Sequence, residues 1–393
     1  MGRVDELIRQ LQSGNTDERR KAASALGQLG DLNAVPELLN AYEARKGFLD
    51  VPIIEAVGEI LGRTTPDDDE SREVFSNAVN WLIEIAQERD LSSRDFQALC
   101  QKRVAAAKAL GKTRDPKAIP ALTKQLPDGL CFEDAVAAAR VLRYFNDPQV
   151  TQALIQAAAD KNTSESVRQA AVESLSELGD PQAVDTFIQI LEDQSVYYQT
   201  RRAAARALGR IGDPKAIEPL IRTLETERES AKTDVDADIA DILGEDIARA
   251  LGAFRDPRVT DALVKALARE YHIARGASES LKKLRDRRAV EPLIRIVEDD
   301  GNKGPGYAYR RDYRRRFAAE ILGVLGDPRA IPALAKALHD DDEYIRYAAR
   351  ESLLAFVPTH PDAILRLPPE DRHRLGRQIQ ETERDEFTKS VCG

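Results

Sequence analysis

Aromatic side chains are scarce: Phe, Trp and Tyr make up 5% of the 393 residues, there is one Trp, and the single Met is residue 1. A large aromatic core is excluded, so alanine and leucine must do the packing. Cysteine is also sparse. Cys100, Cys131 and Cys392 are odd in number, far apart in sequence and without a CxxC pair, so no disulfide framework can be read and reduced thiols are expected. No run approaches the roughly 20 apolar residues that span a bilayer. The opening MGRVDELIRQLQ has no apolar signal core. These absences lead to the expectation of a soluble, cytoplasmic protein with no membrane partner. The four histidines, His272, His339, His360 and His373, form no HExxH and no adjacent His-Glu pair, and spacing suggests no Ser-His-Asp or Cys-His set. No catalytic residue, metal or cofactor is expected. A net charge of -9 argues against a dedicated nucleic-acid binder but leaves room for a local basic groove.

What is present is repetition. ALGRIGDPKAIEPLIRTL recurs as ALGQLGDLNAVPELL, ALGKTRDPKAIPALTKQL, SLSELGDPQAVDTFIQIL, ALGAFRDPRVTDALVKAL and ILGVLGDPRAIPALAKAL. The anchor aspartates are Asp31, Asp115, Asp147, Asp180, Asp213, Asp256, Asp286 and Asp327, with steps of 32, 33 and 33 residues from Asp115 to Asp213. Five positions before each anchor stands leucine, from Leu26 to Leu322, and nine before is mostly alanine, as at Ala22, Ala106, Ala204 and Ala318. Two before is mostly a larger apolar residue, as at Leu29, Phe145, Ile211 and Phe254. That spacing marks one helix face, and Ala216, Ile217, Leu220, Ile221 and Leu224 mark the buried face of a second helix. Each unit therefore reads as an antiparallel helix pair. At the corner, Gly212 suits a left-handed helix end, Asp213 an N-cap and Pro214 the first position of the second helix. Pro219, deeper in, predicts a short tight turn before the regular helix.

The pattern VRxxAAxALGxIGDPxAxxPLIxxL resembles HEAT-type repeats of the phycobilin (PBS) lyase class over most of residues 15 to 358. The resemblance implies an all-α, right-handed α-solenoid of about ten helix pairs, in which each unit buries its apolar face against its neighbours. Residues 1–358 are assigned to the solenoid, with an irregular unit about 50–100 and insertions about 226–245 and 299–312. Residues 359–393 are assigned to a C-terminal capping helix and tail. The His-Glu pairs of the metal-dependent HEAT hydroxylases are missing.

Small residues on the first helix of each pair, with glycines such as Gly27, Gly111, Gly209 and Gly252, assign that helix to the concave face. On the second helix, Lys215, Glu218 and Arg222, then Arg258, Asp261 and Lys265, then Arg288, Glu291 and Arg295, are spaced for intrahelical ion pairs on a solvated wall. The outward positions of the first helix fall three, seven and eleven before the anchor. They give a basic stripe, Arg202, Arg206 and Arg210, joined by Lys108, Lys112, Arg140, Tyr144, Arg249, Arg275, Lys283 and Arg316. Glu173, Glu177, Glu245, Glu279 and Glu320 interrupt the row.

Departures from the repeat are where function is grafted onto a regular frame. GNKGPGYAYRRDYRRRF, residues 301–317, sets Tyr307, Tyr309 and Tyr313 among arginines, a pairing suited to carboxylate or phosphate recognition and to stacking. Tyr347 would complete such a pocket. TDVDADIADILGE, residues 233–245, imitates a calcium loop but has Ile239 where the sharp turn needs glycine, so it reads as an acidic helix start. Asp67–Glu70 and Asp340–Glu343 read as acidic turns. The expectation is an interaction scaffold or adaptor that holds an acidic protein partner or anionic ligand in the groove. The resemblance implies an alternative, a bilin lyase or chromophore chaperone with bilin as its only ligand.

Overall fold

The computed structural model describes residues 2–44, 50–89, 96–128, 131–227, 233–299 and 313–375. The chain divides into two compact units, residues 1–207 and 208–393.

The first unit begins with α1 (Arg3–Ser13). Five helix pairs follow: α2 (Thr16–Leu29) with α3 (Val35–Ala44), α4 (Asp50–Leu61) with α5 (Asp69–Gln87), α6 (Phe96–Thr113) with α7 (Ile119–Asp128), α8 (Phe132–Leu142) with α9 (Pro148–Ala159), and α10 (Glu165–Leu178) with α11 (Val184–Glu192). The division between units falls inside α12 (Tyr198–Ile211), which α13 (Ile217–Thr226) follows in sequence. The second unit continues with α14 (Asp234–Leu251) and α15 (Pro257–Ala266), α16 (Tyr271–Leu284) and α17 (Val290–Glu298), α18 (Tyr313–Leu325) and α19 (Ile331–Ala337), and α20 (Glu343–Phe356) with the short α21 (Pro361–Leu365). Residues 369–375 are also helical. The all-α repeat of about ten pairs is therefore present among the described residues, and none of their helices is long and apolar enough to cross a membrane.

Helices stack in two rows. In the first unit α2, α4, α6, α8 and α10 form one row and α1, α3, α5, α7, α9 and α11 the other; in the second, α14, α16, α18 and α20 pack in succession. All eight repeat leucines are at most 1% exposed. Glycine permits the close approach in the first row. A Cβ on Gly252 would lie 2.8 Å from Ser280 Cβ, and one on Gly27 2.8 Å from Ala56 Cα. Buried serines lock some layers further. Ser174, Ser280 and Ser352 donate to the carbonyls of Ala139, Ala248 and Ala319 on the preceding first helix.

All eight anchor aspartates cap a helical turn. Each carboxylate accepts the amide two residues on at 2.7–3.1 Å. The corner nevertheless comes in two forms. In six units the residue before the anchor is left-handed and a 3-10 turn precedes the second helix, as Pro214–Ala216 does before α13. Gly30, Gly179, Gly212 and Gly326 hold that position, and Arg114 and Arg285 hold it at φ 52°. In the other two units Phe145 and Phe254 tuck into the core, no left-handed residue appears, and α9 and α15 start directly at proline. The expectation of one apolar face two before the anchor is corrected here: Leu29 is exposed and Ile211 half-buried, whereas the two phenylalanines are buried. Both phenylalanine corners also carry a threonine, Thr151 or Thr260, that donates to the next anchor, Asp180 or Asp286.

A second device is the arginine twelve positions before the anchor. Arg19, Arg103, Arg168, Arg201 and Arg315 donate to carbonyls near the end of the preceding second helix, those of Gln12, Glu88, Asp160, Leu191 and Val297. A guanidinium there meets both the orphan carbonyls and the negative end of the helix dipole.

Cys100 and Cys131 are joined, with Cα atoms 6.1 Å apart, which corrects the expectation of reduced thiols. Their separation of 31 residues is close to one repeat, so distance along the chain becomes adjacency in the stack. The acidic segment at 233–245 starts α14 with a Thr233–Asp236 capping box, and the other acidic turns cap α5 through Asp68 and α20 through Asp342.

Candidate interaction surface

Because the leucine and alanine positions of each first helix face the core, the positions three, seven and eleven before the anchor turn outward. In the first unit they line an open groove of about 1320 Å³, formed by the C-terminal ends of α2, α4 and α6 and by Tyr144 beyond α8. Its charged lining is Glu55, Glu59, Arg63, Lys108, Lys112 and Arg114. Lys112 Nζ sits 2.5 Å from Glu59 Oε1 and Arg63 Nη2 3.3 Å from Oε2. The Lys112 hydrogen bond holds the Glu59 carboxyl below its ordinary value; burial opposes this, and the Lys112 and Arg63 charges add to it. Lys108 and Arg114 are exposed and enter none of the described ion pairs. Tyr144 is 45% exposed, with the Arg143 guanidinium 5.0 Å from its ring centre and its hydroxyl accepting from Arg143. Arg140 is exposed on α8.

On α12, Arg206 and Arg210 are exposed and Arg202 is half-buried, with Nη1 3.3 Å from Gln199 Oε1.

The outward face of the second unit is differently built. Glu245, buried on α14, receives Arg249 at 2.7 Å and Arg275 at 2.5 Å, and His272 Nδ1 lies 3.3 Å away. Arg249 also binds Glu279 at 2.8 Å, and that hydrogen bond lowers the Glu279 carboxyl and raises the Arg249 guanidinium, burial opposing both. Arg316 and Lys282 converge on Glu320. Lys283 is exposed. Tyr313 is half-buried and donates its hydroxyl to the Arg269 carbonyl at 2.8 Å, with Tyr271 edge-on at 5.5 Å. Tyr347 is exposed and lies under Arg350, apart from this aromatic group on α20. Tyr307 and Tyr309 lie outside the described residues. Among the described residues no cluster of His, Cys, Asp and Glu is arranged to hold a metal ion.

Sequence reasoning therefore marks the cations and most of the interrupting acids, but not Glu59 and not which of them pair, because a carboxylate one repeat away is distant in sequence. It also passes over Arg63, which sits in the irregular unit, Arg114, which occupies the corner glycine position, and Tyr271 at the start of α16. The second-helix row makes a related point: Glu218, Lys265 and Glu291, which the sequence spaces for pairs along one helix, bridge to the neighbouring repeat, as Arg258–Glu218, Lys265–Glu225 and Arg329–Glu291.

Two repeat-family models match the sequence, HEAT repeats over residues 131–198, 163–235 and 310–367, and the PBS lyase HEAT-like repeat over 18–44, 102–126 and 245–269. Phycocyanobilin lyase subunit alpha of Picosynechococcus sp. is 39% identical over 73 residues, 18% of this chain and 25% of that protein. The same subunit of Microchaete diplosiphon is 44% identical over 62 residues, 15% of this chain and 19% of that one. The match thus spans a quarter or less of these relatives. Among solved structures, Kap95p with RanGDP has a TM-score of 0.56 at 14% identity, covering 93% of this chain and 51% of its own. Importin beta has a TM-score of 0.53 at 14% identity, covering 96% and 53%. At that identity the likeness is one of fold.

Proposed function

The chain is a HEAT-like repeat protein whose units include the PBS lyase HEAT-like class, and from that premise we propose that it is an interaction scaffold whose first-helix row holds an acidic protein segment. The observation that carries this reading is the groove of the first unit. Four cations line it against two carboxylates, in a chain whose net charge is -9. Both carboxylates are on α4, one of them already engaged by Lys112 and Arg63, so Lys108 and Arg114 remain to meet an incoming anion. An open groove that mixes charged and small apolar residues suits an extended peptide better than a compact apolar ligand, for which pockets are concave and mostly apolar. Complementary charge of this kind favours rapid encounter and correct register. No cofactor is needed, and the partner is another protein met in the cytoplasm.

A second reading is favoured by the local identity to phycocyanobilin lyase subunit alpha: the groove would hold a bilin, with arginine or lysine on the propionates and Tyr144 against the ring system. One titration separates the two. The full chain is mixed with a fluorescent glutamate-rich peptide, and separately with a bilin whose absorption is recorded. Saturable peptide binding that weakens with salt, and an unchanged bilin spectrum, are expected. A bilin spectral change without peptide binding contradicts the scaffold reading.

A further inference from the structure

We infer that Cys100 and Cys131 are a reversible dithiol clasp, a redox modification site that ties the α8 layer to the α6 layer independently of what the groove binds. Three observations on different elements converge. The first is placement. Cys100 lies one turn into α6, buried, and Cys131 is the N-cap of α8, half-buried, with the two Cα atoms 6.1 Å apart, inside the span a disulfide bridges.

The second is what this layer lacks. Position twelve before the anchor, an arginine clip in five units, is Ala135 in α8. No guanidinium from that position reaches back from α8 to the preceding layer. Its N-terminus is instead held to α6 by the cysteine pair and, one turn further on, by Arg103 Nε at 2.5 Å from Asp134 Oδ2. The covalent link stands on one of the three layers without that arginine, the others being α14 with Gly244 and α16 with Ala274.

The third is access. Cys131 is the more exposed of the two cysteines, at the N-terminus of α8, and exchange depends on access to the attacked sulfur. It is the entry point for exchange, and buried Cys100 is the resolving partner. With oxidised glutathione as oxidant, the Cys131 thiolate attacks one glutathione sulfur and releases one glutathione. The Cys100 thiolate then attacks Cys131 Sγ and releases the second. Each cysteine gives up its proton, and one electron pair passes to glutathione. A dithiol reductant reverses the sequence through the same exposed sulfur.

The test uses the full chain and three variants, Cys100→Ser, Cys131→Ser and Cys392→Ser, each equilibrated with oxidised glutathione or with dithiothreitol. Remaining thiols are alkylated and counted by intact mass, and the melting temperature is read in both states. In the native chain, oxidation is expected to remove two alkylatable thiols and yield a Cys100–Cys131 cross-linked peptide, and dithiothreitol to restore three without denaturant. Closing a loop of this size should raise Tm by about 5 °C, in the native chain and Cys392→Ser alike. Cys100→Ser should instead carry glutathione on Cys131, and neither single-serine variant of the pair should show the redox-dependent Tm. Three reactive thiols after oxidation, a pairing that includes Cys392, resistance to native-state reduction, or equal Tm values in both states would overturn the inference.

Discussion

The anchor aspartates set what a single residue does in this protein. Asp286 is the best placed for a measurement. The Arg288 guanidinium holds its carboxyl down to about 2; burial opposes that, and the Thr260 hydroxyl and the Arg288 amide add to it. Because the folded value lies below the unfolded one, the stabilisation is complete above pH 4 and disappears as pH falls toward 2. Asp286→Asn should therefore flatten the acid limb of the stability curve, lowering neutral-pH stability by an amount on the order of 1 kcal/mol after solvent screening, with little effect near pH 2. Urea unfolding at several pH values checks this. Arg285 offers a change of opposite sign. Its φ of 52° is a conformation that glycine adopts at no steric cost, so Arg285→Gly should stabilise by about 0.5–1 kcal/mol in the same assay. Aspartate, proline and glycine at the corner were legible in the sequence because their local geometry does not depend on neighbours. The two phenylalanine corners were not, since whether Phe145 is buried depends on space between helices rather than on its own spacing.

At the scale of the element, helices are held to one another by buried polar devices set into an alanine-leucine core. Arg103 and Asp134 are the most buried ion pair among the described residues, at 2% and 0% side-chain exposure. Asp134 Oδ1 has no hydrogen-bond partner there, so the pair is not fully satisfied. Removing one member strands a buried charge. Arg103→Ala should cost about 3–5 kcal/mol, whereas replacing both Arg103 and Asp134 by leucine should recover most of it. A double-mutant cycle in urea reads the difference. Gly252→Ala should also destabilise, by about 1–3 kcal/mol, because its Cβ would meet Ser280 unless α14 and α16 move apart. The helix pairs were legible from periodicity, and so was the small-residue row. The arginine clip was visible as the R of the repeat pattern, but its role was not, since its partner carbonyl lies in the preceding unit and carries no side-chain signal.

For the whole molecule, repetition decides both the fold and the difficulty of reading its site. Translating one corner eight times along the chain makes the architecture redundant, so the fold survives degenerate units such as the one around Leu61. Redundancy also hides function, because the positions that differ between units are free to vary without any local consequence. The outward cations were found by that variation. Their electrostatic meaning was not, because Glu59, Glu245, Glu279 and Glu320 neutralise some of them across a repeat and leave others available. The proposed division of labour has the first-helix row bind and the second-helix row stand as a solvated wall. Its most direct test compares two charge-reversed proteins with equal helicity by circular dichroism, in anisotropy titrations with the glutamate-rich peptide. Lys108→Glu with Arg114→Glu changes the groove; Lys124→Glu with Lys265→Glu changes the second-helix row by the same charge. The first should weaken peptide binding by at least about tenfold, and the second should leave it within about twofold. Equal loss in both proteins, or no loss in the first, would contradict it.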